Sequence, residues 1–412
     1  MFPTNYSIDL SLYYCYNGSR DTRISAQLEC SENKYEIHFC TTAALSNKIS
    51  IDSTHFFRQR VKKIFSVKEA KVGNINVKLN FNQAIISHIK KALNVSDNET
   101  NWTFSLSEFD LCVDEQSSGE IFKFYLSKSH NVIAQNMMLI SSEDGKSNSH
   151  KPYNFIFKEI PITIGFDEDN SFSYIETHIF DNTLLSAIVK LISFYYGIEI
   201  QFWLTVSNVD NNRKYNYKTI LIQQFDQIDM GPWLLYRIVG FSKFGISDFL
   251  KCASTELFGK SDSIRSSLFK ALTTFTAIRN DSEINKFIRL VSILISIYEN
   301  IHGTSWKDGV DCVKELFNLF GIDFSRIDDE DNKLEKQHFW DYLHRKHISN
   351  FVELRNEVMH SLPSDDIVKY LKESILLKRL EISVFIILMG ELGFKRLEYI
   401  YHYPQLNVLK KE

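Results

Sequence analysis

The chain has 412 residues, 44% hydrophobic and 24% charged, with 47 Lys and Arg against 51 Asp and Glu for a net charge of −4. That length exceeds what one core usually supports and predicts two or three domains. The charge excludes a globally basic nucleic-acid binder, so any contact with RNA or DNA must be local. Only 6 Pro and 15 Gly exclude a disordered or loop-dominated chain.

The opening, MFPTNYSIDL, has neither a basic n-region nor an apolar h-region, so no secretory leader is expected. Six cysteines (Cys15, Cys30, Cys40, Cys112, Cys252, Cys312) are scattered without a CxxC. They read as reduced thiols in a cytoplasm, with no metal and no other cofactor implied.

Up to about residue 235 the chain reads as strands with a few helices. Short apolar or period-2 runs recur in YSIDLSLYYCY, KYEIHFCTT, NINVKLNF, WTFSLSEFDLCV, EIFKFYLS, NFIFKEIPITIGF and SFSYIETHIF. THFFRQRVKKIF and NQAIISHIKKAL have helical spacing, and a polar stretch near 141–153, SSEDGKSNSHKPY, marks a loop or a subdomain break. TLLSAIVKLISFYY predicts a helix ended by Gly197, followed by strands in IEIQFWLTV and YKTILIQQ.

From about Ile246 the strand signal stops. SIRSSLFKALTTFTAI, SEINKFIRLVSILISIYENI, WKDGVDCVKELFNLF, HFWDYLHRKH, FVELRNEVMHSL and DDIVKYLKESILLKRLEISVFIILMGEL all have helical periodicity. ISVFIILM is apolar nearly all round and must be covered by its own bundle or by a second copy. Charges at Lys190 and Glu199, and at Lys378, Arg379 and Glu381, break the two most apolar stretches, so no membrane span is expected. The fold class is α+β: a β-rich mixed domain over 1–235 and an all-α bundle over 246–412.

The chemistry concentrates in FVELRNEVMH. At about 100° per residue, Phe351, Leu354, Val358 and Leu362 share one core stripe, and Asn356 and His360 lie together on the opposite face. Arg355 lies at the margin of the core stripe, about 140° round from His360. Arg with His and no acidic ligands suits transfer at a phosphodiester. An imidazole can take a ribose 2′-hydroxyl proton or protonate the leaving oxygen, and a guanidinium can fork two hydrogen bonds onto the phosphoryl oxygens. Two copies of the helix could bring both sets into one cleft. The bland alternative is that Arg355 pairs with an acid on a packed neighbour and His360 merely finishes a helix.

Arg355-Asn356-Glu357-Val358-Met359-His360 resembles the R-(N/D/H)-x-x-x-H signature of HEPN domains, helical ribonuclease modules of bacterial defence and toxin systems. SSLFKALTTFTAIRNDSEINKFIRLVSILISIYENI resembles the opening helices of the Apea-like HEPN group, and LISFYYGIEIQFWLTV the segment that links their N-terminal domains to the bundle. The resemblance implies metal-independent endonucleolytic cleavage of RNA, tRNA among the candidate substrates, by a homodimer formed through the bundle. It assigns acid/base work to His360, the transition-state clamp to Arg355 and orientation to Asn356. By the same analogy the front domain senses a phage-derived trigger, and the chain serves abortive infection. The alternative is a non-catalytic module for dimerisation or RNA binding.

Just ahead of the motif, KLEKQHFWDYLHRKH is locally basic. Lys336, His344, Arg345, Lys346 and His347 are candidate RNA contacts, weighed against a plain solvated face.

Overall fold

The computed structural model describes residues 6–15, 22–31, 34–56, 59–94, 99–114, 121–126, 152–157, 160–167, 172–179, 181–197, 199–209, 212–218, 246–278, 281–302, 309–324, 327, 350–360, 365–373 and 376–394. The chain divides into two compact units. One comprises Met1–Phe180 with Gln201–Ile228, the other Asp181–Ile200 with Asp229–Glu412. The architecture is α+β, with sheets in the first unit and helices in the second.

The strands of the first unit are β1 (Tyr6–Tyr14), β2 (Thr22–Ser31), β3 (Lys34–Thr42), β4 (Phe65–Val72), β5 (Ile75–Asn76), β6 (Lys78–Asn80), β7 (Ile86–Asn94), β8 (Glu99–Leu106), β9 (Glu108–Asp114), β10 (Ile121–Leu126), β11 (Tyr153–Phe157), β12 (Ile160–Asp167), β13 (Phe172–Thr177), β14 (Phe202–Val209) and β15 (Asn212–Lys218). One sheet has the order β5-β4-β1-β2-β3-β8-β7, the other β11-β12-β13-β10-β14-β15-β9-β6. The named strand pairs are antiparallel.

Alternation builds the core. Ile8, Leu10, Leu12 and Tyr14 of β1 are buried and join Ile37, Phe104, Phe109, Trp203 and Tyr217 in a hydrophobic cluster drawn from both sheets. Its rings interlock, with Phe109 stacked on Tyr217 at 4.7 Å and Tyr35 edge-on to Phe109 at 5.2 Å. Helix α1 (Ala43–Phe56) adds Ile49 and Phe56 to that cluster.

The structure corrects three expectations. NQAIISHIKKAL forms β7, not a helix: its register shifts between Ile86 and His88. The extra residue of that bulge sets the inward Ile86 and Ile89 three apart, which imitates a helical period. THFFRQRVKKIF is helical only to Phe56, and Val61–Lys63 is a single 3-10 turn. β2 and β4 are additional strands. A second bulge, opposite Ser11 and Leu12, breaks the alternation of β4 in the same way.

Glu36 is a buried carboxylate on β3. Lys34 Nζ stands 2.7 Å from it, Ser105 Oγ donates to it at 3.1 Å, and His38 Nε2 lies at 3.6 Å. Burial alone would raise its pKa, but Lys34, Ser105 and His38 together outweigh burial and hold it below the usual range. A depressed folded value means stability that is present above the unfolded pKa, about 4.3. It is lost as pH falls through the folded value. The first unit is therefore expected to lose melting temperature on acidification below about pH 4, and the Glu36→Gln variant to lose less over the same range. Thermal melts at pH 3, 4 and 7 check this.

The second unit contains α2 (Asn182–Tyr196), α3 (Ile246–Gly259), α4 (Asp262–Ala277), α5 (Glu283–His302), α6 (Gly309–Leu319), α7 (Phe351–His360), α8 (Asp365–Glu373) and α9 (Leu376–Glu391). Asp181 caps α2 by accepting from Thr183 N and Leu184 N, and Gly197 ends it in the left-handed conformation at φ 64°. Although α2 lies between strands in sequence, it packs on α3 and α4. The run assigned by periodicity to the front half thus supplies a helix to the bundle. Helix α5 packs against α4, α6, α7, α8 and α9. Periodicity places Ile284, Phe287, Ile288, Val291, Leu294, Ile295 and Tyr298 on one stripe. Phe287, Val291, Leu294 and Tyr298 are buried, Ile284, Ile288 and Ile295 are half-buried, and Leu290, Ile293 and Ile297 are buried beside them.

Residues 382–389 of α9 are all buried within the chain. Its buried Glu381 pairs with Lys286 of α5 at 2.6 Å. A Cβ on Gly390 would stand 2.6 Å from Phe320 Cδ1 and closer still to Cε1. Alanine in a helix normally gains about 1 kcal/mol over glycine, but overpacking costs about 1–3 kcal/mol. Gly390→Ala is expected to lower the unfolding free energy by about 1 kcal/mol, measured by urea titration.

Candidate active site

Helix α7 begins where Asn350 accepts from Val352 N at 3.0 Å and Glu353 N at 3.1 Å. Asn350 with Glu353 three places on is a cap signature legible in the sequence. It fixes the phase of the helix from its first turn. The other anchor is aromatic: Phe351 lies 5.4 Å from Phe324 and 6.4 Å from Phe317 of α6, ring centre to ring centre. Phe351, Val352, Leu354 and Val358 are buried, and the helix packs on α5 and α6. The expected core stripe is present, widened by Val352. Leu362 lies outside the described residues.

That anchoring decides what the other face presents. Asn356, Met359 and His360 are exposed, while Arg355 is half-buried. Arg355 Nη1 donates to Asn356 Oδ1 at 3.1 Å. The guanidinium therefore reaches round the helix toward the face that carries Asn356, which its Cα position on the wheel did not indicate. Its Nε is shut off from solvent and finds no acceptor among the described residues. No carboxylate pairs with Arg355 among those residues either. A buried guanidinium N–H left unsatisfied is costly, and an anionic ligand at this face would supply the missing acceptor. His360 stands about 7.5 Å further along the axis than Arg355. One helix thus joins Arg355 to Asn356 and leaves His360 one turn beyond Asn356 on the same exposed side.

Chemically, the face offers a forked cation, an amide and an imidazole, and no carboxylate among the described residues is tied to any of them by an ion pair. Such a set suits an anionic oxygen that must be held and protonated. Lys336, His344, Arg345, Lys346 and His347 lie outside the described residues, as does most of the loop expected at 141–153. Among the described residues no group of three or more His, Cys, Asp or Glu is placed to hold a metal ion. Among them, too, no helix is long and apolar enough to cross a membrane.

The first unit has a surface pocket of about 410 Å³ lined by Tyr6, Gln27, Glu29, Cys30, Lys34 and Glu36, among others. Burial pushes the Cys30 thiol up to about 12, so it is not a nucleophile at neutral pH. No family model, no curated protein and no solved structure matches this chain.

Proposed function

We propose that the chain is a metal-independent endoribonuclease of the HEPN type, acting as a homodimer in the cytoplasm as an abortive-infection effector against phage. The observation that carries this reading is α7 itself. A buried, capped helix holds Arg355 against Asn356, with no acid among the described residues paired to it, and presents Asn356 and His360 outward. In the proposed reaction a neutral His360 takes the proton from a ribose 2′-hydroxyl. The 2′-oxygen attacks phosphorus, the bond to the 5′-oxygen breaks, and the second copy of His360 protonates that leaving oxygen. The Arg355 guanidinium binds the phosphoryl oxygens as charge builds, and Asn356 fixes the guanidinium in place. The products are a 2′,3′-cyclic phosphate and a 5′-hydroxyl. The β-rich unit is assigned to sensing a phage-derived trigger, an analogy with multi-domain HEPN proteins.

Purified protein incubated with total RNA in EDTA is expected to cut it and leave 2′,3′-cyclic phosphate ends. RNA left intact, with and without phage lysate, favours the second reading, a HEPN module for dimerisation or RNA binding without catalysis. Met359, 49% exposed between Asn356 and His360, suits a helix-to-helix contact under either reading.

A further inference from the structure

Residues 43 to 94 hold ten Lys and Arg and only two Asp and Glu, in a chain whose total is −4. The two acids are Asp52 and Glu69, and none follows until Asp97. The fold gathers part of this excess on one border of the seven-stranded sheet, where β7 is the outermost strand. Arg60 bridges Ile85, Val61 N donates to Ala84 O at 2.9 Å, and Ile86 N donates to Gln59 O at 3.1 Å. Those bonds strap residues 59–61 along the start of β7, and the turn Val61–Lys63 follows at once. Arg60, Lys62 and Lys63 are exposed there, around buried Val61 and Ile64. Further along β7, His88 and Lys90 pair in register with Ser105 and Thr103, and both are exposed. From Ile85 to Lys90 the row runs about 17 Å at strand rise.

Among the described residues these cations are uncompensated. Elsewhere Lys34, Lys214, Lys260 and Lys286 each stand against a carboxylate. Arg60, Lys62, Lys63 and Lys90 have none within ion-pair distance among the described residues. Like charges set side by side repel, and an anionic polymer relieves that repulsion while releasing its own counterions. The row is a line along a sheet edge and includes one exposed large apolar group, Ile85. A lipid surface would call for a broader apolar face among the cations.

We propose that this border of the β-rich unit binds the phosphate backbone of a nucleic acid, single-stranded RNA first, whether or not α7 is catalytic. The test is fluorescence anisotropy of a labelled 20-nucleotide oligo-U RNA with the full chain carrying His360→Ala, so that the probe survives. Affinity should fall with salt between 50 and 200 mM at a log–log slope of about −0.7 per neutralised phosphate. Arg60→Glu/Lys62→Glu/Lys63→Glu should weaken binding at least about tenfold and shrink the slope by about 2. The neutral Gln triple should do the same to a smaller degree, and circular dichroism melts should be unchanged because all three positions are exposed. A reversal of equal charge on the other unit, Lys251→Glu/Lys270→Glu/Lys378→Glu, should leave affinity within about twofold of the parent. Duplex DNA bound with the same sensitivity to the first triple would support a site for phosphates without selection for the sugar. Equal losses in both triples, no loss in either, or binding to phosphatidylserine vesicles without binding to RNA would overturn the proposal.

Discussion

His360→Ala is expected to lower RNA cleavage by about 10²- to 10⁴-fold while the fold and the dimer remain, because the proposed reaction assigns the proton transfer to this imidazole. His360 is exposed at the end of α7, so truncation should change stability by no more than about 0.5 kcal/mol. Arg355→Ala should cost about 10²- to 10³-fold through loss of the clamp on the phosphoryl oxygens. Arg355→Lys should restore little. A lysine keeps the charge but loses the fork, and with it the bond to Asn356 Oδ1. Met359→Ala, on the same exposed face, separates chemistry from assembly: it should weaken the dimer before it slows cleavage at saturating protein. Single-turnover rates on one defined RNA, with mass measured by light scattering, check all four variants. Full activity in His360→Ala would remove the imidazole from the reaction.

Phe194→Ala is expected to destabilise the helical unit by about 3–5 kcal/mol. Phe194 is buried on α2, and its ring lies 6.5 Å from Phe249 of α3, 5.8 Å from Phe275 of α4 and 5.8 Å from Phe385 of α9. It is thus in ring contact with three other helices of that unit. At about 2–4 °C per kcal/mol for a unit of this size, the melting temperature should fall by about 6–20 °C. Phe194→Leu should recover part of that. Calorimetry checks it, and a shift below about 2 °C would mean that α2 does not carry the bundle.

How much of this was legible in the sequence depended on how each residue acts. Strands with clean alternation, such as β1 with Ile8, Leu10, Leu12 and Tyr14 inward, could be read directly. β7 could not, because its bulge spaces Ile86 and Ile89 as a helix would. β2 had the signal, with Ile24, Leu28 and Cys30 buried at even spacing, but Ser25, Gln27 and Glu29 between them left no apolar run to notice. The helicity of α2 followed from its period and Gly197, whereas its membership in the bundle did not: a helix apolar on several sides does not say which core will take it. On α7, exposure of Asn356 and His360 followed from the wheel. The reach of Arg355 to Asn356 did not, since a wheel places Cα atoms and ignores a side chain of four rotatable bonds. The basic border of β7 was hidden by the net charge of −4, and a count over residues 43–94 would have found it.

The central claim is that one reaction site needs Arg355, Asn356 and His360 from two subunits. Differently tagged wild-type and His360→Ala chains, co-expressed and purified through both tags, give the heterodimer that decides it. A shared site predicts that this heterodimer retains at most a few per cent of wild-type cleavage, on the order of the mutant homodimer. Activity near half that of the wild type, or an active species with the mass of a single chain, would contradict it.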